Sequence, residues 1–133
     1  MCVYSRRLFK EWIKGPIIIA VDFDNTIYPY GFLGNDLDII RVIKAVKKAK
    51  KLGVYIVIFT SADPSRYNEI IKRCGMYNIN IDAINKNIAE LPYENNGKIV
   101  YNIHLCDRSG LKESIKILNK ARKRYKLYKA EHA

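Results

Sequence analysis

Short β-branched runs alternate along this chain with longer segments of helical spacing. Residues 17–21 and Val54–Phe59 are continuous apolar runs, as expected of strands buried on both faces of a parallel sheet. A short strand is also predicted over residues 81–84, and a last strong strand over residues 99–105. This alternation predicts an α/β fold, a three-layer Rossmann-like sandwich around a small central parallel β-sheet of four strands.

Helices are predicted around these strands from apolar positions that recur three or four residues apart. The first of these helices is expected to be capped by Asn35 or Asp36 and to be closed by Gly53. The next is expected to be capped by Asp63, to have Pro64 at its first position and to stop at Gly75. The final helix is predicted from the apolar stripe of Leu111, Ile115, Leu118 and Tyr125. The N-terminal segment is expected to form an amphipathic helix that packs against the edge of the sheet, with a membrane surface as the alternative contact for its apolar face.

Composition adds a strong positive charge to this picture. The chain has 133 residues, with 24 Lys+Arg against 13 Asp+Glu, and its formal net charge is +11. The length fits a single domain over residues 1–133, with the N-terminal segment at residues 1–15 and a core at residues 16–128. A charge of this size attracts polyanions but gives no information about the fold.

Neither membrane insertion nor disulfide formation is expected. Apolar runs such as residues 17–21 are far shorter than the roughly 20 residues that a membrane-spanning helix needs, and the N-terminal residues show no signal-peptide pattern. Cys2, Cys74 and Cys106 are odd in number and lack C-x-x-C spacing, so they indicate neither a disulfide framework nor a zinc site. We expect a cytoplasmic protein with reduced thiols.

Polar residues follow three of the predicted strands directly. Asp22 and Asp24 follow the first strand, Thr60 and Ser61 the second, and Asp107 the last. Ligands of open parallel sheets bind beyond the carboxyl ends of the strands. Two carboxylates two residues apart lie on one face if the strand conformation persists, and a divalent cation such as Mg²⁺ would relieve their repulsion.

These residues resemble a known family. The run Val-Asp-Phe-Asp-Asn-Thr-Ile at residues 21–27 is similar to the Asp-x-Asp-x-Thr signature of the haloacid dehalogenase superfamily. Thr60, Lys98 and Asp107 are placed like that family's second, third and fourth motifs. The resemblance covers about residues 16–120, with the four motifs in the expected order.

The resemblance implies a phosphatase that works through a covalent intermediate. Asp22 would attack phosphorus and become an aspartyl phosphate, and Asp24 would protonate the leaving oxygen and then activate water. Thr60 would hydrogen-bond a phosphate oxygen, and Lys98 would balance the negative charge. The implied Mg²⁺ ligands are Asp22, Asp24 through its backbone carbonyl, and Asp107; the implied substrate-binding residues are Asn25, Thr26 and Ser61.

The resemblance also implies a site without a covering domain. Residues 27–35 and 85–97 stand where relatives insert one, and both segments are too short. An open site suits a phosphomonoester that is a small molecule or the phosphate end of a macromolecule. A short aromatic flap at its mouth is expected from Tyr28, Pro29, Tyr30 and Phe32.

Two positions depart from the family pattern. Asn25 replaces a common glycine, and asparagine tolerates the same left-handed turn. Cys106 stands where relatives often carry the first of two adjacent acids, and a thiol is a poor ligand for Mg²⁺. Either Asp107 completes the metal site or metal binding is weak.

Several alternatives stay open from the sequence. Lys86 competes with Lys98 for the role of the cation, and His104 is expected to be a satisfied core residue rather than a ligand. The basic tail at residues 120–126 is a solvated helix face or a weak nucleic-acid contact. The alternative function is a catalytically weak or inactive protein of the same fold that binds phosphate or nucleic acid. The oligomeric state is not indicated.

Overall fold

The computed structural model describes residues 2–24, 26–27, 36–89, 98–106 and 110–133. In these residues four α-helices and four β-strands follow one another along the chain. The helices are α1 (Val3–Lys14), α2 (Asp36–Lys50), α3 (Tyr67–Met76) and α4 (Leu111–Glu131). The strands are β1 (Ile17–Asp22), β2 (Val54–Phe59), β3 (Ala83–Ile84) and β4 (Ile103–Leu105).

The strands form a parallel sheet in the order β3-β2-β1-β4. The register aligns Ile19 of β1 with Ile56 of β2 and with Ile103 of β4. Because β1 is central, its C-terminal end lies between the ends of β2 and β4. The predicted α/β class and four-stranded parallel sheet are confirmed.

The sheet is the middle of three layers. One face carries the large core, to which all four helices contribute buried side chains. On the other face Ile18, Val57 and Ala83 pack with Ile88, and the half-buried Ile99 and Val100 lie against them. The second face is therefore covered by chain that follows β3 and precedes β4, and Asp22 lies at the end of a strand enclosed on both sides.

The N-terminal segment is helical, as predicted, and it packs mainly on α4. The rings of Trp12 and Tyr125 stack with their centroids 4.8 Å apart, and Phe9 meets Tyr128 edge-on at 6.0 Å. The contact expected with the sheet edge is secondary: the Glu11 carboxylate accepts a hydrogen bond of 2.5 Å from the side chain of Asn102, which lies just before the edge strand β4. Within the described ranges, no helix is both long and apolar enough to cross a membrane.

The last strand is shorter than predicted, and the extension over residues 99–102 was wrong. Asn102 bonds to both polar groups of Ile18: its side-chain oxygen accepts from the Ile18 N–H at 2.6 Å, and its N–H donates to the Ile18 carbonyl at 2.8 Å. Asn87 accepts from the N–H of Val100 at 2.6 Å and donates to the carbonyl of Lys98 at 2.7 Å. Asparagine side chains thus replace the strand ladder before Ile103.

The boundaries after β2 also differ in detail. Pro64–Arg66 form a 3₁₀ turn before α3, and Asp63 caps it by accepting from the N–H of Ser65 at 2.9 Å. Gly75 was the wrong end for this helix, since α3 runs to Met76 and the left-handed residue beyond it is Asn78. The third strand is limited to its last two predicted residues.

α2 itself ends at Lys50, and the predicted Gly53 closes the turn that follows the helix, with a φ of +86° that favours glycine. Asn35, one of its two expected caps, lies outside the described residues, and the other, Asp36, is the first residue of the helix. The aromatic flap at residues 28–32 also lies outside them.

Candidate functional site

The site is centred on the last residue of the central strand. Asp22 pairs with Phe59 across the sheet, and its carboxylate lies 2.7 Å from the Nε2 atom of His104. The two side chains are 29% and 27% exposed, so the pair is accessible from one side. The register places Ala20 opposite His104, which puts His104 on the face of the sheet that Asp22 also occupies.

Two aromatic rings hold the imidazole in place. The ring of His104 contacts Phe59 at a centroid distance of 5.2 Å and Tyr101 at 5.4 Å, and Phe59 and Tyr101 meet edge-on at 5.9 Å. With its ring packed and one nitrogen bonded, His104 orients the Asp22 carboxylate. His104 was expected to be a satisfied core residue rather than a ligand. Its ring is hydrogen-bonded, but it is 27% exposed and its partner is a candidate nucleophile.

Cys106 completes a close group with this pair. It follows β4 directly and is 7% exposed. One ligand atom each from Asp22, His104 and Cys106 lies within 4.8 Å of the others. Cys106 therefore stands beside Asp22, where the resemblance led us to expect an oxygen ligand.

The segment after β1 turns sharply. Phe23 continues the pairing with β2 through its N–H, which donates to the Phe59 carbonyl at 3.0 Å, and Ile27 closes the turn by donating to the Phe23 carbonyl at 3.0 Å. Asp24 is half-buried, whereas Thr26 is fully buried. Burial favours a role for Thr26 in holding the turn. Asn25, predicted to bind substrate, lies outside the described residues.

Thr60 follows β2 and is held by a residue that the sequence analysis missed. The amide of Asn85 accepts from the Thr60 N–H at 2.9 Å and donates to the Thr60 carbonyl at 2.7 Å. It also donates to the hydroxyl of Tyr67 at 2.9 Å. Asn85 has a φ of +52°, a conformation that asparagine tolerates better than most residues. Its position directly after β3, at a strand end, was the sequence signal that could have identified it as a site residue.

The hydroxyl of Thr60 points back to its own loop. Its oxygen accepts from the Ala62 N–H at 3.1 Å, which leaves the hydroxyl proton to be donated. Ser61 is exposed beside it. Thr60 and Ser61 thus flank the end of the strand adjacent to Asp22.

Neither candidate lysine is ion-paired with the carboxylates of Asp22 and Asp24 in the described part of the chain. Lys98 is exposed. Lys86 lines a shallow apolar groove at the β3 edge with Tyr67 and Ile71. Their competing assignments stay predictions.

The donors partly fit the expected Mg²⁺. Asp22 and Asp24 offer carboxylate and carbonyl oxygens, and Mg²⁺ commonly takes one or two carboxylates together with waters and phosphate oxygens. The imidazole of His104 and the thiol of Cys106 are not ligands for this hard ion. Asp107, the third predicted ligand, lies outside the described residues.

Comparison with known proteins supports the fold. No family model matches the chain, and no curated protein does. A solved structure of a conserved protein from Bacteroides thetaiotaomicron is similar, with a TM-score of 0.58 and 20% identity, covering 88% of this chain and 93% of that one. At this identity the likeness is one of architecture, and the chain therefore adopts a Rossmann-like α/β fold.

Proposed function

We propose that this protein is a Mg²⁺-dependent phosphohydrolase that cleaves phosphomonoesters through an aspartyl phosphate on Asp22. The observation that supports it best is the partly exposed carboxylate at the end of the central strand, held by His104 at 2.7 Å. Ligands gather at this end of an open parallel sheet. An anchored carboxylate with one accessible side is suited to in-line attack.

The two aspartates at the end of β1 and in the turn after it have different roles in the reaction. Asp22 attacks phosphorus while the ester P–O bond breaks, and Asp24 gives its proton to the leaving oxygen. Asp24 then takes a proton from water, which attacks the phosphoryl group and releases phosphate and free Asp22. A bound Mg²⁺, held by Asp22 and Asp24, would offset the repulsion between the anionic nucleophile and the substrate.

The surrounding residues position the phosphoryl group. Thr60 donates its hydroxyl proton to a phosphate oxygen, with its backbone fixed by Asn85. Lys98 supplies positive charge, with Lys86 as the alternative. His104 keeps the nucleophilic oxygen of Asp22 in one orientation, so it is a positioning residue.

The test is hydrolysis of an aryl phosphate with and without Mg²⁺. Asp22→Asn keeps the shape of the side chain but removes its charge, and turnover is expected to fall by at least about a thousandfold. Glu131→Gln, at the exposed last residue of α4, is the control and should leave turnover unchanged. Near-full activity of Asp22→Asn would refute the assignment. Beryllium fluoride, a mimic of the acyl phosphate, should bind the wild type and not Asp22→Asn.

The lysine assignment is tested in the same assay. Lys98→Ala is expected to lower turnover more than Lys86→Ala, because Lys98 matches the position of the family's third motif. The reverse order would transfer the role to Lys86. We also propose a cytoplasmic location, in keeping with three cysteines that form no disulfide.

A second candidate function, binding of nucleic acid, is favoured by the distribution of charge. The packed pair α1 and α4 contains twelve Lys and Arg against three Asp and Glu, half of the 24 basic residues of the chain. Such a surface attracts polyanions, with an affinity that falls steeply as salt rises. The substrate of an open site would then be a phosphate-ended nucleic acid.

This candidate predicts a location for the contact. Neutralising three exposed lysines of α4 should weaken oligonucleotide binding and lower the rate on a phosphate-ended oligonucleotide, with aryl phosphate hydrolysis unchanged. The variant is Lys116→Gln, Lys120→Gln and Lys123→Gln; its control is Lys44→Gln, Lys48→Gln and Lys51→Gln on and after α2. Equal loss of binding in both triple variants would make the attraction nonspecific. A mononucleotide that remains the better substrate at every salt concentration would exclude this candidate.

A further inference from the structure

The close group beside the site combines three different metal-binding atoms. Asp22 offers a carboxylate oxygen, His104 an imidazole nitrogen and Cys106 a thiol sulfur, and one such atom from each lies within 4.8 Å of the others. Mg²⁺ prefers oxygen ligands to nitrogen and sulfur, whereas Zn²⁺ binds all three donor types. The set is therefore better matched to a transition metal than to the ion of the proposed reaction.

The sheet itself brings the donors together. His104 and Cys106 are two residues apart at the end of β4, so their side chains leave the chain on the same side. Asp22 ends the neighbouring strand, and its carboxylate already lies 2.7 Å from Nε2 of His104. Cys106 is buried at the bottom of the group, while the other two are about 70% covered. A bound ion would keep one side open to solvent.

The spacing is compatible with tetrahedral coordination. Zinc bonds of about 2.0 Å to oxygen and nitrogen and about 2.3 Å to sulfur place neighbouring ligand atoms about 3.3 to 3.6 Å apart. To reach this spacing, the Asp22 oxygen and Nε2 of His104 must move apart by less than about 1 Å. Two ligand atoms of the group that lie as far as 4.8 Å apart must approach each other by a little more than about 1 Å. Side-chain torsions of these three residues cover such a range without moving the strands.

We propose that Asp22, His104 and Cys106 form a Zn²⁺ site. On binding, the thiol of Cys106 releases its proton to solvent, and the imidazole of His104 takes the tautomer with its proton on Nδ1, which frees Nε2. The hydrogen bond between His104 and Asp22 is then replaced by one bond from each to the metal. Three protein ligands leave the fourth position to water. Because Asp22 is also the proposed nucleophile, zinc and the phosphoryl group compete for one carboxylate.

Cobalt reports the site directly, because Co²⁺ takes the place of Zn²⁺ and a cobalt–thiolate bond absorbs in the near ultraviolet. The wild-type protein is expected to bind one Co²⁺ with this absorption and to lose it when Zn²⁺ is added. Cys106→Ser should abolish the band, and Asp22→Asn and His104→Gln should weaken binding by at least about tenfold. Absence of the band in the wild type at saturating Co²⁺ would overturn the proposal.

The other two cysteines serve as matched controls. Cys74 is a buried thiol in α3, on the helical face of the sheet, and Cys2 is exposed near the N-terminus. The band should persist in Cys74→Ser and in Cys2→Ser. A band that survives Cys106→Ser but disappears in either control would assign the metal to that cysteine and refute this site.

The consequence for catalysis rests on the proposed function and is measured separately. Zn²⁺ should inhibit aryl phosphate hydrolysis by the wild type at concentrations that spare Cys106→Ser, with each variant compared with its own zinc-free rate. Equal inhibition of both proteins would overturn competition at Asp22. If neither protein hydrolyses the substrate, the proposed function fails, while the cobalt spectrum still decides the zinc site.

Discussion

The amide of Asn85 is predicted to hold the second strand end in its active position. Asn85→Ala removes three hydrogen bonds: two to the backbone of Thr60 and one to the hydroxyl of Tyr67. The side chain is exposed, so each bond contributes at the low end of the usual range, about 0.5 kcal/mol, and together about 1.5 kcal/mol. The φ of +52° adds a strain of about 1 kcal/mol for alanine.

Three variants separate these contributions. Asn85→Ala is expected to lower the free energy of unfolding by about 2.5 kcal/mol, the sum of lost bonds and strain. Asn85→Gly accepts the left-handed conformation and should lose less than the alanine variant. Tyr67→Phe removes one bond of the three and should cost about 0.5 kcal/mol.

The assay is urea unfolding followed by circular dichroism, together with the KM for an aryl phosphate. Because Asn85 fixes the backbone of Thr60, we expect Asn85→Ala to raise KM, whereas Tyr67→Phe changes it little. An unfolding free energy for Asn85→Ala within about 0.5 kcal/mol of the wild type, the usual range for surface substitutions, would refute this reasoning.

Two further predictions concern the helices and the thiols. Trp12 is fully buried and stacked on Tyr125, so Trp12→Ala should lower the free energy of unfolding in urea by about 3 to 5 kcal/mol. The control Tyr4→Ala, at a residue 67% exposed, should change it by no more than about 0.5 kcal/mol. A small loss of stability for Trp12→Ala would show that α1 contributes little to the fold. A hydrogen bond with Ser5 lowers the pKa of the Cys2 thiol, and burial raises that of Cys74 to about 11. Cys2 therefore carries more thiolate at neutral pH and should be alkylated first, and equal labelling of Cys74 in the folded protein would contradict its burial.

The local pattern of the sequence was sufficient to predict those helices and strands whose signal lies in their own residues. Val54–Phe59 has the predicted bounds, and the stripe from Leu111 to Tyr125 lies in α4. A continuous apolar run and a helical period depend on neighbours in sequence, so they can be read directly. Asp22 could be placed at the end of a strand for the same reason, and the parallel sheet makes such an end the expected position of a ligand.

The partners of these residues were decided by tertiary structure. The bond between Asp22 and His104 joins residues 82 positions apart, and that between Ile18 and Asn102 joins residues 84 apart. Both depend on β4 lying beside β1 in the order β3-β2-β1-β4, which no local pattern specifies. Once β4 is in place, the side chain of Asn102 takes over the backbone bond that a longer strand would have made. The same adjacency brings the imidazole of His104 and the thiol of Cys106 to Asp22, because side-chain contacts follow the packing of strands rather than the spacing of residues.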